Sequence, residues 1–288
     1  MIAKARELVG MFKEFYRRGF PNWVQRRFSA RWHNYPFGQT CSGSKDQYLD
    51  LAKDARARCH PEIDKLENEL GFAIDTKWLS DLALHTQVVI KHSEICYQHG
   101  RILYSYLSDY LRERRVRNEQ DRLTILETGT ARGFSSLCMA KALADAEQEG
   151  LILTFDVLPH YVPMFWNCID DLDRPKSRSE LLGEWEPLSQ KYIVFIEGDS
   201  KLMLPRVQTE RVHFAFFDAM HTEEDVWMEF SHVEKKQKRG DRVVFDDYSI
   251  SKFPGVVGAV DELCEAFSYD VRIIEATENR SYAVATRL

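Results

Sequence analysis

Two hydrophobic rhythms divide the chain. Up to about residue 120, apolar residues recur three and four positions apart with few glycines. This predicts helices over "QYLDLAKDARARCHPEIDKLENEL" (47–70) and "DLALHTQVVIKHSEICYQHGRILYSYLSDYLRERR" (81–115). The stretch "RRFSARWHNYPFGQTCSGSKD" (26–46) collects Pro, Gly, Ser and Asn and predicts a loop. Beyond residue 120, short apolar runs alternate with helical stretches. Strands are predicted at "RLTILETG" (122–129), "LILTFDV" (151–157), "KYIVFIEGD" (191–199), "RVHFAFFDA" (211–219) and "DRVVFDDY" (241–248). Helices are predicted at 135–150, 222–240 and 254–267. "DVRIIEATENRSYAVATR" (270–287) reads as a closing hairpin that turns near Glu278 and Asn279. Such alternation predicts an α/β fold with a mostly parallel sheet covered by helices on both faces. The expected division is a helical N-terminal extension or cap over 1–120 and an α/β domain over 121–288.

Composition narrows the function classes. The 288 residues, 44% hydrophobic, suffice for one large domain with an appendage, and the net charge of −6 argues against nucleic acid as the default partner. Residues 1 to 35 depart from that balance with eight Lys and Arg against Glu7 and Glu14, which suits either an anionic partner or a solvated helix face. The six cysteines are scattered, with no CxxC or Cys/His spacing, and read as reduced thiols. Neither a signal-length apolar core nor a run of about 18 apolar residues occurs, so a soluble, cytoplasmic protein without a membrane span is expected.

Ligands of open α/β sheets bind beyond the carboxyl ends of the strands. Here those ends read Glu127-Thr-Gly, Asp156, Glu197-Gly-Asp199-Ser200, Asp218 and Asp246-Asp247. Each acid alone could be a helix cap or a solvated loop carboxylate; together they suggest one site. Between the first strand and its helix lies "ETGTARGFSS" (127–136), whose Gly129 and Gly133 allow close backbone approach to a ligand. The loop is neither the GxGxxG of dinucleotide folds, since position 131 is Ala, nor a Walker loop, which would need Gly-Lys-Ser/Thr.

This loop resembles motif I of class I S-adenosylmethionine-dependent methyltransferases, (E/D)xGxxxGxS. The resemblance spans roughly residues 120 to 288 and includes "EGDS" and the closing hairpin. It implies a Rossmann-like fold with a mostly parallel seven-stranded sheet and an antiparallel C-terminal hairpin. It also implies S-adenosylmethionine as cofactor, held by Glu127, Gly129, Thr130, Ala131, Gly133, Ser135, Ser136, Asp156, Asp199, Ser200 and Asp218. Asp156 would hold the ribose hydroxyls, which suit the two acceptor oxygens of a carboxylate. Asp199 and Ser200 would lie near the adenine.

Adjacent carboxylates repel, and a divalent cation is one economical remedy; oxygen ligands favour Mg²⁺, Mn²⁺ or Ca²⁺. "FFDAMHTEEDVWMEF" followed by "RGDRVVFDDY" is similar to the metal-dependent branch of sugar and small-molecule O-methyltransferases, the macrocin O-methyltransferase and cephalosporin-hydroxylase-like enzymes. That similarity implies metal ligation, with Mg²⁺ expected, by Asp218, Asp246 and Asp247. Catechol O-methyltransferase shares the logic with Asp-Asn at the pair. In the sugar enzymes a second aspartate follows the fourth-strand acid by two residues and serves as base, whereas this chain has Met220. His221 is the nearest titratable group and, beside Asp218, the expected catalytic residue, with a helix-start or supporting role as its other reading.

The implied reaction is direct displacement at the sulfonium methyl by a hydroxyl of a small molecule, plausibly a sugar or secondary metabolite. N-methylation, a hydroxylase-like reaction or a non-catalytic cofactor-binding module are the alternatives. Lys91, His99 and Arg101 are candidate acceptor contacts, or outward polar residues of an amphipathic helix. The aromatic stretch 15–37 suits a homodimer surface, an acceptor cap or a docking site for an anionic partner.

Overall fold

In the computed structural model, residues 37–38, 43–278 and 280–288 are described. The basic segment 1–35, nearly all of the aromatic stretch 15–37 and turn residue 279 lie outside them. Helices α1 (Lys45–Ala57) and α2 (Pro61–Leu70) occupy what reads in sequence as one helix. The break falls where Pro61, which cannot donate to the preceding turn, takes the first position of α2. A capping box on Ser44 opens α1, and Gly71, in the left-handed conformation, closes α2.

The second predicted helix also divides. Helix α3 is Thr76–Thr86 and α4 is His99–Val116, with residues 87–98 irregular between them. Val88, Val89, Ile95 and Cys96 in that connection are buried, so tertiary packing overrides the helical spacing.

The rest follows the predicted alternation: β1 (Leu123–Thr128), α5 (Phe134–Asp145), β2 (Gly150–Asp156), short helix α6 (Arg178–Leu181), α7 (Glu186–Tyr192), β3 (Ile193–Glu197), short helix α8 (Ser200–Met203), β4 (Phe214–Phe217), α9 (Glu223–Glu234), β5 (Arg242–Phe245), α10 (Pro254–Ala266), β6 (Tyr269–Thr277) and β7 (Arg280–Arg287). The sheet runs β3-β2-β1-β4-β5-β7-β6. Strands β1 to β5 are parallel, and β7 is antiparallel to both β5 and β6. This is the Rossmann-like class I methyltransferase arrangement that the sequence led us to expect.

Strands such as β4, "FAFF", are buried throughout because helices cover both faces. One core joins α1 to α4, α5 and the sheet, with Tyr48, Ile63, Leu107, Phe134, Phe214 and Phe216; the other joins α9 and α10 to the opposite face through Phe217, Phe230, Phe245 and Val260. The helices before residue 120 therefore share the core of the α/β unit.

Register places the site. Thr128 pairs with Phe155 and Phe217, Phe217 with Phe245, and Asp156 with Glu197. The residues that follow, Gly129, Asp218 and Asp246, thus leave the sheet in one row with Asp156. Strand order reverses between β1 and β4, so the row crosses the switch point where such sheets bind ligands.

Candidate active site

The loop after β1 is held tightly. Gly129 has φ +87°, and a Cβ there would stand 2.0 Å from the carbonyl oxygen of Asp218. Only glycine permits this approach of the two strand ends. At Gly133, φ +88°, a Cβ would meet Leu182 at 2.8 Å. Between them Ala131 also adopts a left-handed φ of 46°, an unusual conformation for a residue with a side chain. Its amide donates to Asp156 Oδ2 at 2.6 Å and its carbonyl accepts from Arg178 Nε at 2.8 Å.

The loop's polar side chains face inward. Glu127 is buried, accepts from Ser136 Oγ and, at 2.5 Å, from Thr154 Oγ1, and has its pKa raised by burial. Thr130 pairs with Thr154 at 2.5 Å, and Ser135 is buried. Glu127, Thr130, Ser135 and Ser136 therefore brace the loop from beneath.

Asp156 accepts from the amides of Ala131 and Leu158, and Arg178 stands 3.9 Å away. Each carboxylate oxygen retains a second lone pair, so the ribose diol expected here still fits. Asp199 is exposed and caps α8, accepting from the amide of Lys201 at 2.9 Å; Ser200 opens that helix. His160, unassigned from sequence, stacks on Phe195 at 4.0 Å beside the exposed Tyr161, and burial lowers its pKa to about 4.

Across the switch point, Asp218, His221 and Asp247 each bring a donor atom to one place, all within 4.8 Å of one another. His221 Nε2 lies 3.2 Å from Asp247 Oδ2 and 3.7 Å from Asp218 Oδ1, and its ring packs on Phe253 at 4.5 Å. Thr222 caps α9 and so fixes the chain immediately after His221. Burial would lower the His221 pKa, but the carboxylates of Asp218, Asp247 and Asp246 outweigh it and raise the value. Burial and the charge of Asp246 push Asp218 well above the usual carboxylate range and raise Asp247 too.

Asp246 differs. Its side chain is fully buried and paired with the Arg280 guanidinium, and its Oδ1 accepts from the amide of Asp247 at 2.7 Å. Although burial opposes ionisation, Arg280 holds Asp246 below its ordinary pKa. Of the three acids expected to share a cation, the structure gathers Asp218 and Asp247 with His221 and places Asp246 outside that group.

Arg280 escaped the sequence reading. The antiparallel register that sets Phe245 against Ala283, with Tyr248 N donating to Ser281 O at 3.0 Å, brings the start of β7 beside the acidic pair. Lys91 lies exposed in the 87–98 connection. His99 is buried, 4.8 Å from the Phe134 ring and stacked on Phe216, and burial lowers its pKa to about 3. Arg101 is bound to Asp64 and Glu67. His99 and Arg101 thus serve packing and helix pairing.

Residues 126–248 match a family model described as a methyltransferase domain. Among solved structures, cofactor-bound Rv0187 from MTB is similar at 16% identity and a TM-score of 0.52, over 80% of this chain and 97% of that one. The O-methyltransferase NovP is 18% identical over 85% of this chain and 99% of its own, with a TM-score of 0.49. TomG from Streptomyces achromogenes, an O-methyltransferase of tomaymycin synthesis solved with S-adenosylmethionine, is 18% identical over 75% and 91%, with a TM-score of 0.48. No curated protein matches the sequence.

The sheet order and the matched segment agree: residues 126–248 match a methyltransferase domain and lie on a Rossmann-like sheet. The protein is accordingly a methyltransferase. Among the described residues, no helix is long and apolar enough to cross a membrane.

Proposed function

We propose that this methyltransferase uses S-adenosylmethionine to methylate a hydroxyl oxygen of a small molecule, a sugar or secondary metabolite, with a divalent cation held by Asp218, His221 and Asp247. The observation that carries the reading is the convergence of those three side chains beside Asp218's contact with Gly129. The donor chemistry fits a cation: two carboxyls are pushed toward protonation, and the buried His221 Nε2 faces both of them, at 3.2 and 3.7 Å. When bound, the cation would supply positive charge that lowers the acceptor hydroxyl's pKa, and S-adenosylmethionine would supply the methyl group.

The protein's own part is positional. The loop 129–133 would hold the methionine end of the cofactor, and Asp156 the ribose. Gly129 lets that loop touch the backbone of Asp218, so donor and acceptor groups would meet across a single strand pair. His221 faces the same point as the two acids, which suits a ligand better than a free base; the acceptor proton would then leave to solvent. The helices before residue 120 are assigned as the acceptor-side cap.

Mass-spectrometric detection of methyl transfer to a panel of hydroxyl- and amine-bearing small molecules tests the reading. The expected result is O-methylated product that disappears on treatment with EDTA and returns with Mg²⁺ or Mn²⁺. Methylation of amines alone, or activity indifferent to EDTA, would overturn it.

A further inference from the structure

We propose that Arg280 selects the ligand set: by occupying Asp246 it removes that acid from the cation site and leaves two carboxylates and an imidazole. This rests on the cation reading above. Both oxygens of Asp246 are engaged, one by the Arg280 guanidinium and the other by the amide of Asp247. Arg280 Nε stands 3.7 Å from Asp247 Oδ1, leaving Asp247 Oδ2 turned to His221 at 3.2 Å.

The backbone accommodates the division. Asp247 sits in the left-handed region at φ 53°, which its neighbour's carboxylate supports by accepting its amide. The adjacent side chains part, Asp246 to Arg280 on β7 and Asp247 to His221. Arg280 is itself fixed, its guanidinium over the Tyr282 ring at 5.6 Å and its strand tied to the loop by Tyr248 N.

The chemical consequence concerns selectivity. Three carboxylates would form a hard oxygen site suited to Mg²⁺ or Ca²⁺, whereas two carboxylates and an imidazole favour Mn²⁺, Fe²⁺ or Zn²⁺. Arg280 also adds a positive charge near the ion, which weakens binding of every divalent cation and leaves the imidazole to discriminate between them.

The test uses the full chain freed of metal, with Mn²⁺ binding followed by the electron paramagnetic resonance of unbound Mn²⁺ and Mg²⁺ as competitor. Wild type is expected to bind one Mn²⁺ and to resist Mg²⁺. In Arg280→Gln, Mg²⁺ should compete about tenfold better because Asp246 joins the site, and adding Asp246→Asn should reverse the gain. Asp246→Asn alone should leave Mn²⁺ affinity within about threefold, so the idea stays testable if Arg280→Gln does not fold. An unchanged Mg²⁺/Mn²⁺ ratio in Arg280→Gln, or a loss beyond about tenfold in Asp246→Asn, overturns the role of Arg280 while the cation reading stands. Wild type that binds no Mn²⁺ overturns both.

Discussion

Acids crowd both ends of the sheet, but among the described residues one end is matched far more fully than the other. At the amino ends of the strands, Asp241 accepts from Tyr110 at 2.6 Å, from Arg211 at 2.8 and 3.0 Å and from the amide of Lys238 at 2.7 Å. Asp121 meets Arg114, Arg211 and His213; Glu119 meets Arg114, Arg117 and Arg211; Asp109 and Glu113 share Arg242. At the carboxyl ends, Arg280 pairs with Asp246, while among the described residues Asp218 and Asp247 have the imidazole of His221 and, farther off from Asp247, the Nε of Arg280. A matched cluster is a fastening. An under-matched one, kept buried at a cost in repulsion, is what the proposed cation and substrate would relieve.

The contrast can be broken most decisively from the top. Asp218→Ala should lower methyl transfer by about 10³-fold, about 4 kcal/mol of barrier, while the melting temperature holds or rises as repulsion is relieved. A fall in melting temperature would make the upper cluster a fastening as well. Asp241→Asn should do the opposite, costing about 3–5 kcal/mol in denaturant unfolding because Arg211 loses its buried partner, with turnover per folded molecule unchanged.

Glu229 sharpens the comparison. It is a buried acid on α9 that accepts from Thr128 Oγ1 at 2.8 Å, and burial raises its pKa to about 7. Because the folded value exceeds the unfolded one of 4.5, the native state holds the proton longer. Its contribution to stability should therefore be greatest below pH 4.5 and decline as pH rises to about 7. Glu229→Gln should flatten that decline by up to about 3 kcal/mol in melting curves across the range.

The smallest effect belongs to His85, which joins α3 to the 169–172 turn through Asp170 at 2.6 Å. The hydrogen bond to Asp170 raises its pKa. Its stabilisation is thus complete below the ordinary imidazole value of 6.5 and fades as pH rises through the raised one. His85→Gln should remove about 1 kcal/mol at pH 6 and less at pH 9, as unfolding curves at the two pH values would show.

Sequence carried the fold further than it carried the site. Strand and helix periods, with the acid ending each parallel strand, were legible because a buried sheet needs continuous apolar runs and ligands sit at its carboxyl edge. The break at Pro61 is legible too, since proline favours the first position of a helix over its interior. The segment 157–192, with α6, α7 and the buried Arg178 and Trp166, carries no sustained period, since short turns and one-sided packing leave no repeat. Arg280 was hidden for a different reason. Its partner lies 34 positions away, and only the antiparallel return of β7 brings the two together.

The close approach at Gly129 also constrains how this enzyme can change. The loop assigned to the methyl donor and the strand end assigned to the acceptor's cation touch through backbone atoms, not exchangeable side chains. New acceptors can therefore be accommodated by remodelling loops farther along the row, but the span between the two reacting partners cannot drift in small steps. Selection is left to adjust what is methylated while the distance over which methylation happens stays locked.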